Sequence, residues 1–158
     1  MSPRNRRLTA DLAGMHELAA EGVVTFRTEG DPPESYELLI AAPGVSRGAD
    51  GTVAPRGIHR CAIYLHLDYP RRPPVIAWQT PIMHPNILPP QRNGGVCIGA
   101  WGAGESLADL TRRLVDLVTY RAFNIADALD EAASAFVAAC GMVPGGDLQV
   151  LIGGRVAP

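Results

Sequence analysis

The sequence predicts an α+β domain, a four-stranded antiparallel meander sheet with an N-terminal helix and C-terminal helices. Three observations carry the prediction. Apolar residues recur at helical spacing near the start of the chain and again in its last third. Between those stretches, short runs alternate apolar with polar residues and are separated by clusters of Gly, Pro and Asp. These runs follow one another with no helical pattern between them, and consecutive strands joined by short turns pair antiparallel. A chain of 158 residues with 47% apolar content can bury a core as a single domain.

Residues 5–21 read as an amphipathic helix, with Leu8, Leu12, Met15 and Ala19 on one face. Asn5 can cap its start and Gly22 can end it. Strands follow over 23–28 and 36–41, separated by the turn-rich Glu29-Gly30-Asp31-Pro32-Pro33. Residues 43–57 hold enough Gly and Pro to read as a loop. A third strand covers 60–67, where Cys61, Ile63, Leu65 and Leu67 alternate with Ala62, Tyr64, His66 and Asp68. That alternation makes Cys61 a core residue and turns His66 to the polar face. A fourth, short strand covers 74–79.

Residues 80–104 show no periodicity and are rich in Pro and Gly. An irregular stretch of that length inside a compact domain is uncommon and is usually functional. Ser106 then caps a helix running to about 120, with Asp109 in the capping-box position and Leu107, Leu110, Leu114, Leu117 and Val118 as its buried stripe. After a break over 121–126, Asp127 can cap a last helix over 128–140, with Leu129, Ala132, Phe136, Val137 and Cys140 facing inward. Gly141 closes it and Pro144 lies beyond. Residues 141–158 read as a short tail in which Gly153 and Gly154 are turn glycines. There are no internal repeats and no second domain.

Composition narrows the function classes. A net charge of -2 lacks the basic footprint of a nucleic-acid binder. The cluster Arg4, Arg6, Arg7 is the main local exception, read either as a solvated helix start or as a docking patch for an acidic partner. No segment is apolar over the length a membrane span needs, and the first residues lack the apolar run of a signal peptide. Three well-separated cysteines, Cys61, Cys97 and Cys140, resist a disulfide framework and show no zinc-site spacing, so a reducing, cytoplasmic setting without a metal or cofactor is expected. All 14 basic residues are arginine. Guanidinium groups are poor nucleophiles, so only the N-terminal amine could take up an acyl group as an amide.

The chemistry concentrates between Tyr69 and Trp101. Cys97 lies in Gly94-Gly95-Val96-Cys97-Ile98-Gly99, where small neighbours leave room for an extended chain beside the sulfur. His84-Pro85-Asn86 stands a short loop upstream. A thiol facing a fixed side-chain amide suits acyl transfer through a thioester: the thiolate carries the acyl group and the amide donates to the developing oxyanion. Asn86 could equally brace the loop that carries Cys97. Cys61 and Cys140 lie on apolar faces and read as packing residues.

The order of elements, Tyr69-Pro70 followed by Pro73-Pro74, the His84-Pro85-Asn86 tripeptide, and Cys97 followed by Trp101 resemble the ubiquitin-conjugating enzymes. The resemblance covers roughly residues 5–140, which it marks as a catalytic domain with 141–158 as its tail. It implies that Cys97 accepts a ubiquitin-like modifier from an activating enzyme and passes it to an amine of a target protein, with a ligase as a further candidate partner. It also implies that Asn86 assists acyl transfer, that His84 and Pro85 shape the site, and that Asn124 or Asp127 orients the amine. Asp127 is equally explained as a helix cap. The loop from Asn86 to Cys97 is a few residues longer than in typical members, and the stretch after Trp101 is shorter. The lysine-free, alanine-rich sequence looks more like a bacterial homologue, a class whose operons in several cases serve antiphage defence. Two alternatives stand beside this reading. One is a modifier-binding module of the same fold without chemistry. The other is a Cys-His hydrolase, which would need His84 aimed at the sulfur.

Overall fold

A computed structural model describes residues 1–157. Its elements are α1 (Pro3–Ala19), β1 (Val24–Gly30), β2 (Pro33–Arg47), β3 (Val53–Tyr64), β4 (Val75–Trp78), α2 (Leu107–Val118) and α3 (Glu131–Ala139), with short 3-10 turns at Pro90–Arg92 and Leu148–Val150. The sheet runs β1-β2-β3-β4 with every neighbouring pair antiparallel, the predicted meander.

Helix α1 starts at Pro3, not at the expected Asn5, because Ser2 supplies the cap: its hydroxyl accepts from the Asn5 N–H at 3.0 Å. Proline fits the first helical position, where an N–H would have no partner anyway. The buried face carries Leu8, Met15 and Leu18, and also Asp11, which is 2% exposed. The Asp11 carboxylate accepts from Arg7 at 2.9 Å, from the Tyr69 hydroxyl at 2.6 Å and from the Leu107 N–H at 2.9 Å, so it also anchors the first turn of α2. The arginine cluster is therefore not a free docking patch. Arg4 donates to the Leu65 and His66 carbonyls at 2.8 and 2.9 Å, and Arg7 stacks over the Tyr69 ring while binding Asp11. Arg6 alone stays on the exposed side.

The stretch 43–57, expected as a loop, is mostly strand. The β2-β3 ladder resumes after a bulge between Ala41 and Gly44 and runs from Gly44↔Arg56 to Arg47↔Val53. Gly44 permits this, since a Cβ there would sit 2.8 Å from the Val118 carbonyl and 2.9 Å from the His59 ring. Strand β3 stops at Tyr64, and Leu67 is 82% exposed, so the last turn of the expected strand does not form. Instead His66 organises a turn, its Nε2 paired with the Pro73 carbonyl at 2.7 Å and its Nδ1 accepting from the Asp68 N–H at 3.1 Å.

Helices α1 and α2 cover one face of the sheet. Leu8, Met15, Leu107, Leu110 and Leu114 join Tyr36, Leu38, Ile40, Cys61 and Ile63 in the main core. The whole predicted stripe of α2 is buried. Ser106 caps it, accepting from the Asp109 N–H at 3.0 Å, but the Asp109 carboxylate turns to Arg112 at 3.5 Å instead of completing a capping box. Helix α3 starts later than expected: Asp130, not Asp127, is its cap, accepting from the Ala133 N–H at 3.0 Å. Of the expected inner face, Val137 is buried and Ala132, Phe136 and Cys140 pack against the second core, where the unexpected Ala133 joins them; only Leu129 departs, outside the helix and 37% exposed.

A second core joins α3 to the far end of the β2-β3 hairpin, and residues 141–157 complete it. Met142, Leu151 and Val156 are buried with Val45, Val53, Met83 and Tyr120. Gly153 donates to the Val53 carbonyl at 3.0 Å, Val53 donates to Gly154 at 3.0 Å, and Val156 donates to Gly51 at 2.9 Å. The stretch expected as a tail is thus laced along the hairpin. No helix among the described residues is long and apolar enough to cross a membrane.

Candidate active site

Cys97 is placed by a small hairpin built from the irregular stretch. Its N–H donates to the Asn86 carbonyl at 2.9 Å, Leu88 donates to Gly95 at 2.8 Å, and Ile87 bridges both His84 and Val96. Trp78 of β4 donates to the Gly94 carbonyl at 2.8 Å, which ties the hairpin to the sheet. Gly94 has φ +68, and a Cβ there would collide with the Trp78 backbone. Only glycine satisfies both conditions. Thiol and amide therefore start from adjoining rungs of one ladder.

The tripeptide His84-Pro85-Asn86 holds the segment 124–130 against this hairpin. The Pro85 carbonyl accepts from the Leu129 and Asp130 N–H groups at 2.8 and 3.1 Å. The Asn86 side chain, 2% exposed, accepts from the Asn124 N–H at 2.8 Å and donates to the Asn124 carbonyl at 2.8 Å and the Asp127 carbonyl at 3.3 Å. At rest, all of its hydrogen-bonding capacity except one oxygen lone pair is spent on that segment.

The clasp puts Asp127 beside the thiol, its Oδ2 3.7 Å from Cys97 Sγ. Freed from the expected capping duty by Asp130, this carboxylate stands exposed at the site. The Asn124 side chain does not reach the sulfur and accepts from the Ala126 N–H at 2.9 Å. Asn124 contributes through its backbone, as the partner of Asn86.

His84 is fully buried, its Nδ1 accepting from the Asn86 N–H at 3.0 Å and its ring 4.6 Å from that of Tyr120. Its Nε2 faces the Leu117 carbonyl without a hydrogen bond of ordinary geometry. Burial pushes its pKa down to about 3, so the ring is neutral at physiological pH. Neither nitrogen bonds the Cys97 sulfur, and the hydrolase alternative lacks its base. Cys61, by contrast with the half-exposed Cys97, is completely buried, and burial pushes its thiol up to about 12. Such a thiol is not a nucleophile at neutral pH. Cys140 is half-buried at the end of α3, against the second core.

Two arginines that the sequence did not single out fix the frame. Arg113 of α2 binds Glu105 through both carboxylate oxygens, at 2.9 and 2.7 Å, and donates to the Ala100 carbonyl at 3.0 Å and to that of Ile98. It thereby holds the residues just after the thiol. Arg92, at the tip of the hairpin, pairs with the buried Asp130 carboxylate at 3.5 Å. The Arg92 pair joins distant parts of the chain, and no local pattern marks either contact. A groove of about 290 Å³ runs past the sulfur, lined by Cys97, Ile98, Arg113, Leu117, Phe123 and Asp127. No group of metal-ligating side chains occurs among the described residues.

The comparisons with known proteins agree with this architecture. The chain is 28% identical over 95 residues to Ubiquitin-conjugating enzyme E2 1 of Schizosaccharomyces pombe, covering 60% of this chain and 40% of that protein. It is 30% identical over 99 residues to Ubiquitin-conjugating enzyme E2 S of Drosophila ananassae, covering 62% and 43%. The matched region thus spans about two-fifths of the length of these relatives. Among solved structures, a putative ubiquitin conjugating enzyme from Trypanosoma cruzi superposes with a TM-score of 0.61 at 20% identity, over 87% of this chain and 90% of that one. Human Ubiquitin-conjugating enzyme E2 G1 superposes at 0.53 with 22% identity, over 72% and 95%. These two establish the fold. The family pattern described as ubiquitin-conjugating enzyme matches residues 7–135, which take in the sheet, the Cys97 hairpin, α2 and the first turn of α3. With that match over most of its length, the chain belongs to the ubiquitin-conjugating enzyme family.

Proposed function

We propose that this protein accepts a ubiquitin-like protein from an activating enzyme as a thioester on Cys97 and transfers it to an amine of a target protein. The observation that carries the reading is the pairing of a half-exposed thiol with a free carboxylate 3.7 Å away at the side of one groove. In the first step the Cys97 thiolate attacks the thioester carbonyl on the activating enzyme, whose own thiolate leaves. In the second a target amine attacks the Cys97 thioester, the C–S bond breaks, and the amine proton passes to Asp127 or to water. We assign Asp127 the role of orienting the amine and taking up the proton it sheds.

Asn86 serves this reaction first as the clasp that holds Asp127 in place. Donation to the oxyanion uses the same Nδ2, released from its longer bond to the Asp127 carbonyl at 3.3 Å. His84 and Pro85 shape the turn. No cofactor enters, because the activated acyl group arrives already made. We place the enzyme in the cytoplasm of a bacterium, in an antiphage conjugation pathway, on the strength of its lysine-free, alanine-rich sequence. The genes beside its own test that placement.

A modifier-binding module without chemistry would have no use for an accessible thiol beside a carboxylate. The experiment is direct: with activating enzyme, modifier and ATP, the protein forms an adduct that thiol reductants cleave and that decays when an amine acceptor is added. A folded protein that forms no adduct would contradict the proposal.

A further inference from the structure

A second groove, of about 630 Å³, lies at the tip of the Cys97 hairpin and shares no residue with the groove along α2. Its walls are the turn of the β2-β3 hairpin with Arg47 and Asp50, the stretch at Pro81, the hairpin loop with Pro89 and Arg92, and Val156. One of these walls, Val156, lies beyond the residues the family pattern matches.

The groove is basic on a protein whose net charge is negative. Arg47 is half-buried and makes no ion pair or side-chain hydrogen bond among the described residues. With no partner of its own, its guanidinium keeps a full set of donors for an incoming carboxylate. Arg92 is 52% exposed and holds Asp130 only at 3.5 Å, which leaves most of its donors free. The one acidic group in the lining, Asp50, already accepts from the Thr52 N–H and hydroxyl, both at 2.9 Å.

Resting on the thioester reading above, we propose that this groove binds an acidic segment of the target protein, so that the enzyme selects amines with carboxylates nearby in sequence. With the α2 groove at the sulfur given to the modifier's tail, the basic groove at the tip of the same hairpin lies within reach of the acceptor. The charges are arranged to match, with Asp127 receiving the cationic amine and Arg47 and Arg92 receiving the anionic flank. Cys97 follows Arg92 by five positions, so their Cα atoms are at most about 18 Å apart. An extended acceptor crosses that distance in about five residues.

Synthetic peptides test this, each with one lysine and, five and six positions away, either two glutamates or two alanines. Discharge of the Cys97 thioester is expected to be about fivefold faster with the glutamate peptide, the effect of a few part-exposed ion pairs, and the preference should shrink at high salt. Arg47→Glu is expected to abolish or invert the preference, while Arg47→Lys keeps part of it. Equal rates for the two peptides in the wild type, or a parallel fall for both in Arg47→Glu, would overturn the proposal. Binding of the glutamate peptide to the uncharged enzyme, followed by NMR shifts at residues 47–51 and 89–92, reads the groove without any thioester. Shifts at those residues that the alanine peptide does not cause would support the groove even if no thioester formed, and their absence would overturn it. A change confined to modifier loading in Arg47→Glu would assign the groove to the modifier and likewise overturn it.

Discussion

Asn86 and Asn124 are joined by two hydrogen bonds of 2.8 Å, the side-chain amide of one pairing with both backbone groups of the other. Among the described residues, this two-point clasp supplies the side-chain hydrogen bonds between the Cys97 hairpin and the exposed stretch before Asp127. Two bonds in fixed geometry orient a loop in a way that one cannot.

Asn86→Ala is expected to lower transfer to amines by tenfold or more while thioester loading falls much less. Loss of the clasp should also reduce stability by about 1–3 kcal/mol, the net worth of two hydrogen bonds. Single-turnover loading and discharge, measured beside a thermal melt, separate the two effects. Normal discharge in a variant with a lowered melting temperature would leave Asn86 as a brace alone.

Asp127→Ala is expected to slow discharge by about tenfold or more at neutral pH, with the deficit shrinking as pH rises and more of the acceptor amine is already deprotonated. Discharge to free lysine across a pH series checks this. A deficit that stays constant with pH would remove the proton-handling role from Asp127.

His84 gives the fold a defined acid sensitivity. Burial holds its pKa near 3 in the folded state, against 6.5 for the free side chain. Between those values the unfolded chain binds a proton that the folded one refuses, so stability rises with pH across that window. It is complete above about 6.5 and is lost as pH falls toward 3. Between pH 7 and 4.5 the loss from this residue alone is roughly 2–3 kcal/mol. His59, whose pKa burial also lowers, acts in the same direction. Urea denaturation should show the decline in the wild type and a shallower one in His84→Gln. Equal slopes for the two proteins would contradict it.

The elements whose faces were legible in the sequence are those where one periodicity decides the outcome. The stripe of α2 is buried as its spacing predicts, and the alternation around Cys61 puts that thiol in the core. The far half of the β2-β3 hairpin was hidden by its Gly and Pro residues, which here serve a bulge and a close approach to α2 instead of a loop. Asp127 reads as the cap in the sequence because it precedes the apolar stretch, as Asp130, the observed cap, also does. Only the docking of the 124–130 segment against Asn86 frees one for the thiol and leaves the other to the helix. Asp11, Arg92 and Arg113 act through partners distant in the chain, and a single sequence carries no trace of such pairings.

Substitution of each cysteine in turn decides whether Cys97 carries the modifier. Wild-type protein incubated with activating enzyme, modifier and ATP should give an adduct cleaved by thiol reductants. Cys97→Ser should give instead an oxyester that resists them, while Cys61→Ala and Cys140→Ala keep the labile adduct. An unchanged reductant-labile adduct in Cys97→Ser would place the thioester on another cysteine and rule Cys97 out as the carrier.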